Sequence, residues 1–444
     1  MRSKWYVGAL SCAMFLLAAG VPVLAAPAVA ARPAPAPKPA SVMITPTAAS
    51  LRPGESVTFT AVALDKLGNP MPSVPVTITS SSSRVVSVAG AGVATAVAAG
   101  TANITAKAKG KSVKAVVSVL APGGDLVAAA LKQVNHILAA DGWIYWTESD
   151  GKISRVRKML STGGAIYDLA SEPYHTKTGI TVTYVHLQQS TDHIYYSRQE
   201  KGFNFHWSIR RVPKAGGVAP TEIIPNDTSV EPMLANGWKV SGDRVVVALK
   251  NPTKIGLGAS VRVAVYDDGA WTGVLLGQFD AGETHLIAVD DQFVYVRGYT
   301  LETRVTQIVK VSLTNSQAVQ TLLTRESPED FRAIPGATDG TNIYYWSGRD
   351  DDTRLLSLSV NGGQPTVLTN TGFGYGLTYN DGNLYWAKGG NNIVRMPVAG
   401  GQTSPIRSST FATTAIGGIA IDETSVYAAI VASKNEIRIV RAAK

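Results

Sequence analysis

The chain has 444 residues, of which 45% are hydrophobic and 16% charged, with a formal net charge of +9. That length exceeds one ordinary domain, and that apolar content permits sizeable cores. The positive excess is spread thinly, with no Lys/Arg cluster, which excludes a phosphate-tracking surface and with it a nucleic-acid partner.

Residues 1–25 carry the pattern of a secretory signal peptide: charged Arg2 and Lys4, an apolar run from Trp5 to Leu24, and small residues offering cleavage after Ala25 or Ala30. This predicts a secreted, periplasmic or cell-surface protein, with a retained membrane anchor as the alternative. No other run is long and apolar enough to span a bilayer. Removing Arg2 and Lys4 takes the net charge from +9 to +7. Cys12, the one cysteine, lies inside the apolar run behind "ALS", a poor match to a lipoprotein box; lipidation there is the alternative to ordinary cleavage. After cleavage the mature chain has no cysteine, so disulfides and cysteine–zinc sites are excluded. Residues 26–40 alternate Pro and Ala, which cannot bury a core and reads as a linker.

From Ser41 the apolar pattern has period two. "SVMITP", "ESVTFTAVALD", "VPVTITSSS", "VVSVA", "GVATAVAAGTANITAKA" and "KSVKAVVSVL" are strand-like runs separated by turn residues. Val57, Phe59, Ala61 and Ala63 fall on one face. About seven strands within 41–120 have the size and rhythm of a β-sandwich. The "LDKLGNP" turn, the "SSSSRVVSV" segment and "AGTANITA" resemble a bacterial Ig-like group 2 domain, with Ile78 where that family often has Trp. The resemblance implies a spacer or adhesion module without catalytic residues.

Residues 121–444 contain a repeat. "ADGWIYWTESDGKISRV", "TDGTNIYYWSGRDDDTRLLSLSVNGGQ" and "NDGNLYWAKGGNNIVRMPVAGGQ" share one order of parts. The leading aspartates are Asp141, Asp192, Asp243, Asp290, Asp339, Asp381 and Asp422, about 41 to about 51 residues apart, the period of propeller blades. Each copy reads as four strands: an apolar strand, an aromatic-bearing strand, an Ile/Val strand around Arg, and a strand after Gly-Gly. Such sheets hide their faces by packing radially. The last copy stops after its third strand, and "APGGDLVAAALKQ" opens with the Gly-Gly that precedes fourth strands. The expected fold is therefore all-β: an Ig-like sandwich followed by a seven-bladed propeller, in which 125–131 completes the last blade. A helix is the alternative for that segment, since Ala and Leu favour helix. "YWTE", "YYWS" and "YWAK" are similar to the YWTD-type repeats of lipoprotein receptors and closer to bacterial secreted propeller repeats; the receptor family has six blades where seven are counted here.

Chemistry is less visible. The six histidines form no H-x-H or H-E-x-x-H pattern, and no G-x-S-x-G elbow occurs. "GLGAS" lacks the strand–helix setting of a phosphate loop, and Asp350 to Asp352 lack the alternating ligands of a calcium loop. No catalytic, cofactor or metal-binding residue is therefore assigned. Long loops between second and third strands concentrate aromatics and Arg, the usual interface anchors. Phe203, Phe205, His206, Trp207, Arg297, Tyr299 and Arg304 are the expected ligand-binding rim. The function expected on this basis is a secreted or cell-surface non-enzymatic binding protein, with the propeller as platform for a protein or glycan ligand. The alternative is a propeller-type hydrolase or lyase acting on a polysaccharide or lactone, with His136 or His285 in the channel.

Overall fold

The computed structural model describes residues 38–121, 126–176, 179–201, 205–225, 231–232, 238–250, 261–267, 270–272, 281–300, 305–315, 318–326, 336–348, 353–370, 372, 374–388, 392–407, 415–433 and 436–444. Strands dominate; among the described residues the one helical element is a 3-10 turn at Gly90–Gly92. No described helix is long and apolar enough to cross a membrane. The signal-peptide and linker expectations for residues 1–37 lie outside the described residues.

Residues 41–119 enclose a core of their own, which includes Val42, Ile44, Phe59, Ala63, Ile104 and Val117. Alternation explains it: in Gly100–Ala108 the residues Ala102, Ile104, Ala106 and Ala108 are buried, while Asn103 and Lys107 are exposed. Phe59 and Ala63 are buried and Val57 and Ala61 pack partly against them, so the face read from the sequence is the core face. Lys109 and Gly110, both left-handed (φ 40° and 84°), make the tight turn to Lys111–Val119, the geometry that strand twist favours.

Among the described residues, seven small antiparallel sheets follow. The first is Gln133–Ala140, Trp143–Ser149, Ile153–Leu160 and Gly164–Pro173. The second is Thr181–Gln189, His193–Lys201, Phe205–Pro213 and Thr221–Ile224. In the third, Glu231–Pro232 and Trp238–Ser241 both pair with Arg244–Lys250, followed by Val261–Asp267 and Ala270–Thr272. The fourth is Ala281–Val289, Phe293–Thr300, Val305–Ser312 and Val319–Glu326. The fifth is Ala337–Thr338, Asn342–Ser347, Arg354–Ser359 and Thr366–Thr369; the sixth is Gly374–Asn380, Asn383–Lys388, Asn392–Pro397 and Ser404–Arg407. The seventh has Ala415–Ile421, Ser425–Ser433 and Glu436–Ala443, and takes Leu126–Leu131 as its outer strand. There Leu126 lies opposite Val440 and Leu131 opposite Ile437. Strand pairing has overridden the helix propensity of "LVAAAL".

A junction absent from the sequence reading joins the two regions. Gly164–Pro173 pairs with Ala48–Leu51, with Gly164 opposite Ser50 and Ile166 opposite Ala48. Ala48–Leu51 runs parallel to Lys111–Val119, so one eight-stranded sheet passes from the first sheet into the N-terminal region. Thr47 Oγ1 donates to Asp168 at 2.9 Å, and Arg157 reaches from Asp168 (2.8 Å) to the buried Glu148 (2.9 Å). An outer edge that would otherwise invite pairing is thereby covered.

Consecutive side chains of a strand point to opposite faces, and this is what the aromatic pairs exploit. Tyr145 packs with Val182, Tyr184 and Tyr196 of the second sheet. Trp146 packs the other way, with Val127, Tyr427 and Ile439 around the seventh. Trp346 and Trp386 meet edge-on, 5.6 Å apart, between the fifth and sixth sheets. One aromatic pair thus fills two interfaces.

The leading aspartates act in two ways. Asp290, Asp339 and Asp422 each accept backbone N–H bonds through Oδ1 from the residues two and three positions on. Their Oδ2 atoms accept the hydroxyls of Tyr295, Tyr344 and Tyr427 at 2.7, 2.7 and 2.6 Å. Asp141 and Asp381 are instead left-handed themselves (φ 52° and 46°), each followed by a left-handed glycine. The Asp-to-tyrosine spacing follows the turn: five residues where the carboxylate accepts the turn N–H groups, four where the aspartate is itself left-handed.

Candidate active site in the central cavity

Ile144, Ile194, Leu384 and Val426 occupy one place in four sheets, immediately before the aromatic residue of the second strand. Eight residues upstream of each stand His136, His186, Gly376 and Gly418. The pairing of each inner strand slips at or beside that position. Such bulges re-aim side chains and gather near active sites. His186 has φ 50°, close to Gly376 (68°) and Gly418 (81°). It holds an imidazole in the left-handed conformation that the sixth and seventh sheets give to glycine. For a residue with a Cβ that conformation costs about 1–2 kcal/mol, and such strain gathers at functional sites.

His136, His186 and Lys239 line one cavity of about 510 Å³, with Gln188, Gln189, Tyr375 and Thr378. Its walls come from inner strands of the first, second, third, sixth and seventh sheets, with Gly336 beside the fifth. The histidine wall presents side chains. The sixth and seventh sheets approach backbone to backbone: a Cβ on Gly376 would meet the Gly418 Cα at 3.2 Å.

The two imidazoles are held in different ways. The Leu187 N–H donates to His136 Nδ1 at 3.3 Å, which leaves the proton of the neutral ring on Nε2. The Gln188 amide nitrogen, a donor, lies 3.2 Å from His186 Nε2, so that nitrogen is the acceptor. The rings meet edge-on at 5.1 Å, and His186 meets Trp238 at the same separation. Burial, reinforced by the Lys239 charge, holds His136 down to about 4. Burial also pushes His186 well below the usual imidazole range, with His136 and Lys239 adding to it. Burial lowers Lys239 too. Near neutral pH both rings are therefore unprotonated: His136 Nε2–H is a neutral hydrogen-bond donor, and the His186 Nε2 lone pair is held by Gln188.

Of the seven rim residues named from the sequence, Trp207 and Arg297 have described side chains. Phe203 and Arg304 lie outside the described residues, as do Asp350 to Asp352 and the "GLGAS" loop. Phe205 and His206 belong to the strand Phe205–Pro213 and Tyr299 to Phe293–Thr300, with side chains outside the description. The stretch read as a loop at Ser197 to Ser208 is mostly a hairpin, paired out to Lys201 opposite Phe205. Trp207 is half-buried against Ile209, Trp238 and Val247, and Arg297 is buried. His285 pairs by its backbone with Arg297, its side chain being outside the description. Among the described residues no three His, Cys, Asp or Glu side chains gather as metal ligands. Sequence reasoning found His136 but missed His186 and Lys239.

No protein-family model matches the chain, and no curated protein does. Solved structures do. A puromycin-hydrolysing peptidase of Mycobacterium tuberculosis is similar at 12% identity and TM-score 0.50, over 72% of this chain and 53% of that one. The fold is β-propeller-like. An acylaminoacyl peptidase of Pyrococcus horikoshii is similar at 11% identity and TM-score 0.47, over 70% of this chain and 52% of that one. An uncharacterised protein of Listeria monocytogenes is similar at 10% identity and TM-score 0.43, over 69% and 91%. The chain spans about half the length of the two peptidases, and at these identities the likeness concerns fold alone. The expectation of a non-enzymatic binding platform is nevertheless corrected: the first of these propeller-like structures is a hydrolase. The absence of catalytic motifs had argued for binding, but a channel site assembled from different sheets leaves no contiguous motif.

Proposed function

We propose that the chain is a hydrolase that opens a lactone in the central cavity. The observation that carries this is the placement of two neutral imidazoles, His136 and His186, at one repeat position, facing the same cavity. In this reading Gln188 turns its amide to the ligand, which frees His186 Nε2 to take the proton of a water whose oxygen attacks the lactone carbonyl carbon. His136 Nε2–H and the Lys239 ammonium stabilise the oxygen that becomes negative. The ring C–O bond then breaks, and the alkoxide takes the proton back from His186. A glycosidase needs a pair of carboxyl groups, and no Asp or Glu is among the described cavity-lining residues. A second reading, β-elimination in a uronate polysaccharide, is favoured by Lys239, which would neutralise the substrate carboxylate while His186 removes the adjacent C–H proton.

The surrounding architecture in this proposal is an Ig-like group 2 domain buttressing a seven-bladed ring closed by 125–131, exported by a cleaved signal peptide. Phe203, Phe205, His206, Trp207, Tyr299 and Arg304 would form the rim that a polymeric substrate meets first, without the buried Arg297. The test is a turnover screen of the full chain on aldonolactones and uronate polysaccharides, with His136→Gln alongside. The proposal expects lactone opening and its loss in the variant; turnover of neither substrate class overturns it.

A further inference from the structure

Lys239 is the residue that the fold does not explain. It sits on Trp238–Ser241, the inner strand of the third sheet, and lines the cavity beside His136 and His186. It is the one formally charged side chain among the described lining residues. No carboxylate among the described residues pairs with it. Elsewhere the chain matches its buried cations: Arg157 has Glu148 and Asp168, and Arg198 has Glu172 and Glu200. A half-buried ammonium without a counter-charge is costly, and a desolvated ionisable group in a cleft marks a functional site. Inner strands of the second and sixth sheets present Gln188, Gln189 and Thr378 to the same cavity, neutral groups that hydrogen-bond to hydroxyls without competing for the cation. The volume of about 510 Å³ suits a molecule of sugar-acid size.

We infer that the cavity is a carboxylate site: Lys239 pairs with the carboxylate of a small polyhydroxylated acid, while Gln188, Gln189 and Thr378 take its hydroxyls. This deepens the reading of the cavity as a lactone- or uronate-processing site, because it names the charged group that the ligand carries.

The experiment is calorimetric titration of the full chain near neutral pH with galacturonate and gluconate, their neutral counterparts galactose and glucitol, and inorganic phosphate. The acids are expected to bind at least about tenfold more tightly than their neutral counterparts. Lys239→Met is expected to abolish that preference and Lys239→Arg to retain part of it. Equal binding of acid and neutral sugar, undiminished acid binding in Lys239→Met, or phosphate binding tighter than both acids would each overturn the inference. Should Lys239→Met fail to fold, the acid-to-neutral ratio on the native chain decides alone. Because no turnover is measured, the two proposals fail separately. Carboxylate binding without catalysis refutes only the enzyme, and turnover of neutral lactones without carboxylate affinity refutes only this site.

Discussion

Replacing His186 by glycine and by alanine separates backbone strain from side-chain contact. Both substitutions remove the same ring and with it the edge-on contacts, each 5.1 Å between centroids, to His136 and Trp238. At about 0.5–1.5 kcal/mol per aromatic contact, that loss is about 1–3 kcal/mol. Alanine keeps a Cβ at φ 50° and so keeps the left-handed penalty, which is about 1–2 kcal/mol. Glycine escapes it but forfeits about 0.5–1 kcal/mol of chain entropy. The net expectation is that His186→Gly is more stable than His186→Ala by about 0.5–1 kcal/mol, the reverse of the usual strand order. His136 supplies the control, since it occupies the equivalent position without a positive φ. There alanine should exceed glycine by about 0.5–1 kcal/mol. Urea unfolding of the four variants, compared at equal denaturant dependence, reads both differences. An alanine variant at position 186 as stable as the glycine variant would refute the strain argument.

Arg157→Met should destabilise the chain by about 3–5 kcal/mol, because it strands the buried Glu148 and leaves Asp168 half-paired; urea midpoints measure it. Asp339→Ala removes two turn bonds and the Tyr344 hydroxyl partner, and a loss of about 1–2 kcal/mol is expected. The same hydrogen bonds hold the Asp339 and Asp422 carboxyls below their ordinary value. Their contribution is therefore complete above the unfolded pKa and disappears as pH falls through the folded one. His136 acts in a higher window. Its unfolded ring titrates near 6.5 and its folded ring at about 4, so the unfolded chain takes the proton first. Stability should fall from pH 6.5 toward pH 4 by up to about 3 kcal/mol, and His136→Gln should flatten that slope in melts across the range.

The propeller repeat was legible because its turn chemistry and its packing share one short stretch. An aspartate fixes the turn, and the aromatic pair a few residues on fills the interfaces on both sides, as Tyr145 and Trp146 do. The outer strand of the seventh sheet was legible from the Gly-Gly of "APGGDLVAAALKQ", which precedes fourth strands in other copies. The pairing of Gly164–Pro173 with Ala48–Leu51 was not, because backbone hydrogen bonding between distant edges leaves no side-chain pattern. Lys239 was missed because the weak third copy hides its inner strand in "GWKVSG". His186 was missed because it looks like any polar residue of an alternating strand. The signal available was positional: eight residues before Ile194, as His136 is before Ile144 and two glycines are in later copies.

The most direct measurement is the initial rate of lactone opening, followed as acid release at constant pH, for the native chain and His186→Gly. A positioned general base contributes about a hundredfold or more. The cavity account predicts a loss of at least that size in a variant that remains folded. An undiminished rate in His186→Gly would place the chemistry elsewhere and contradict it.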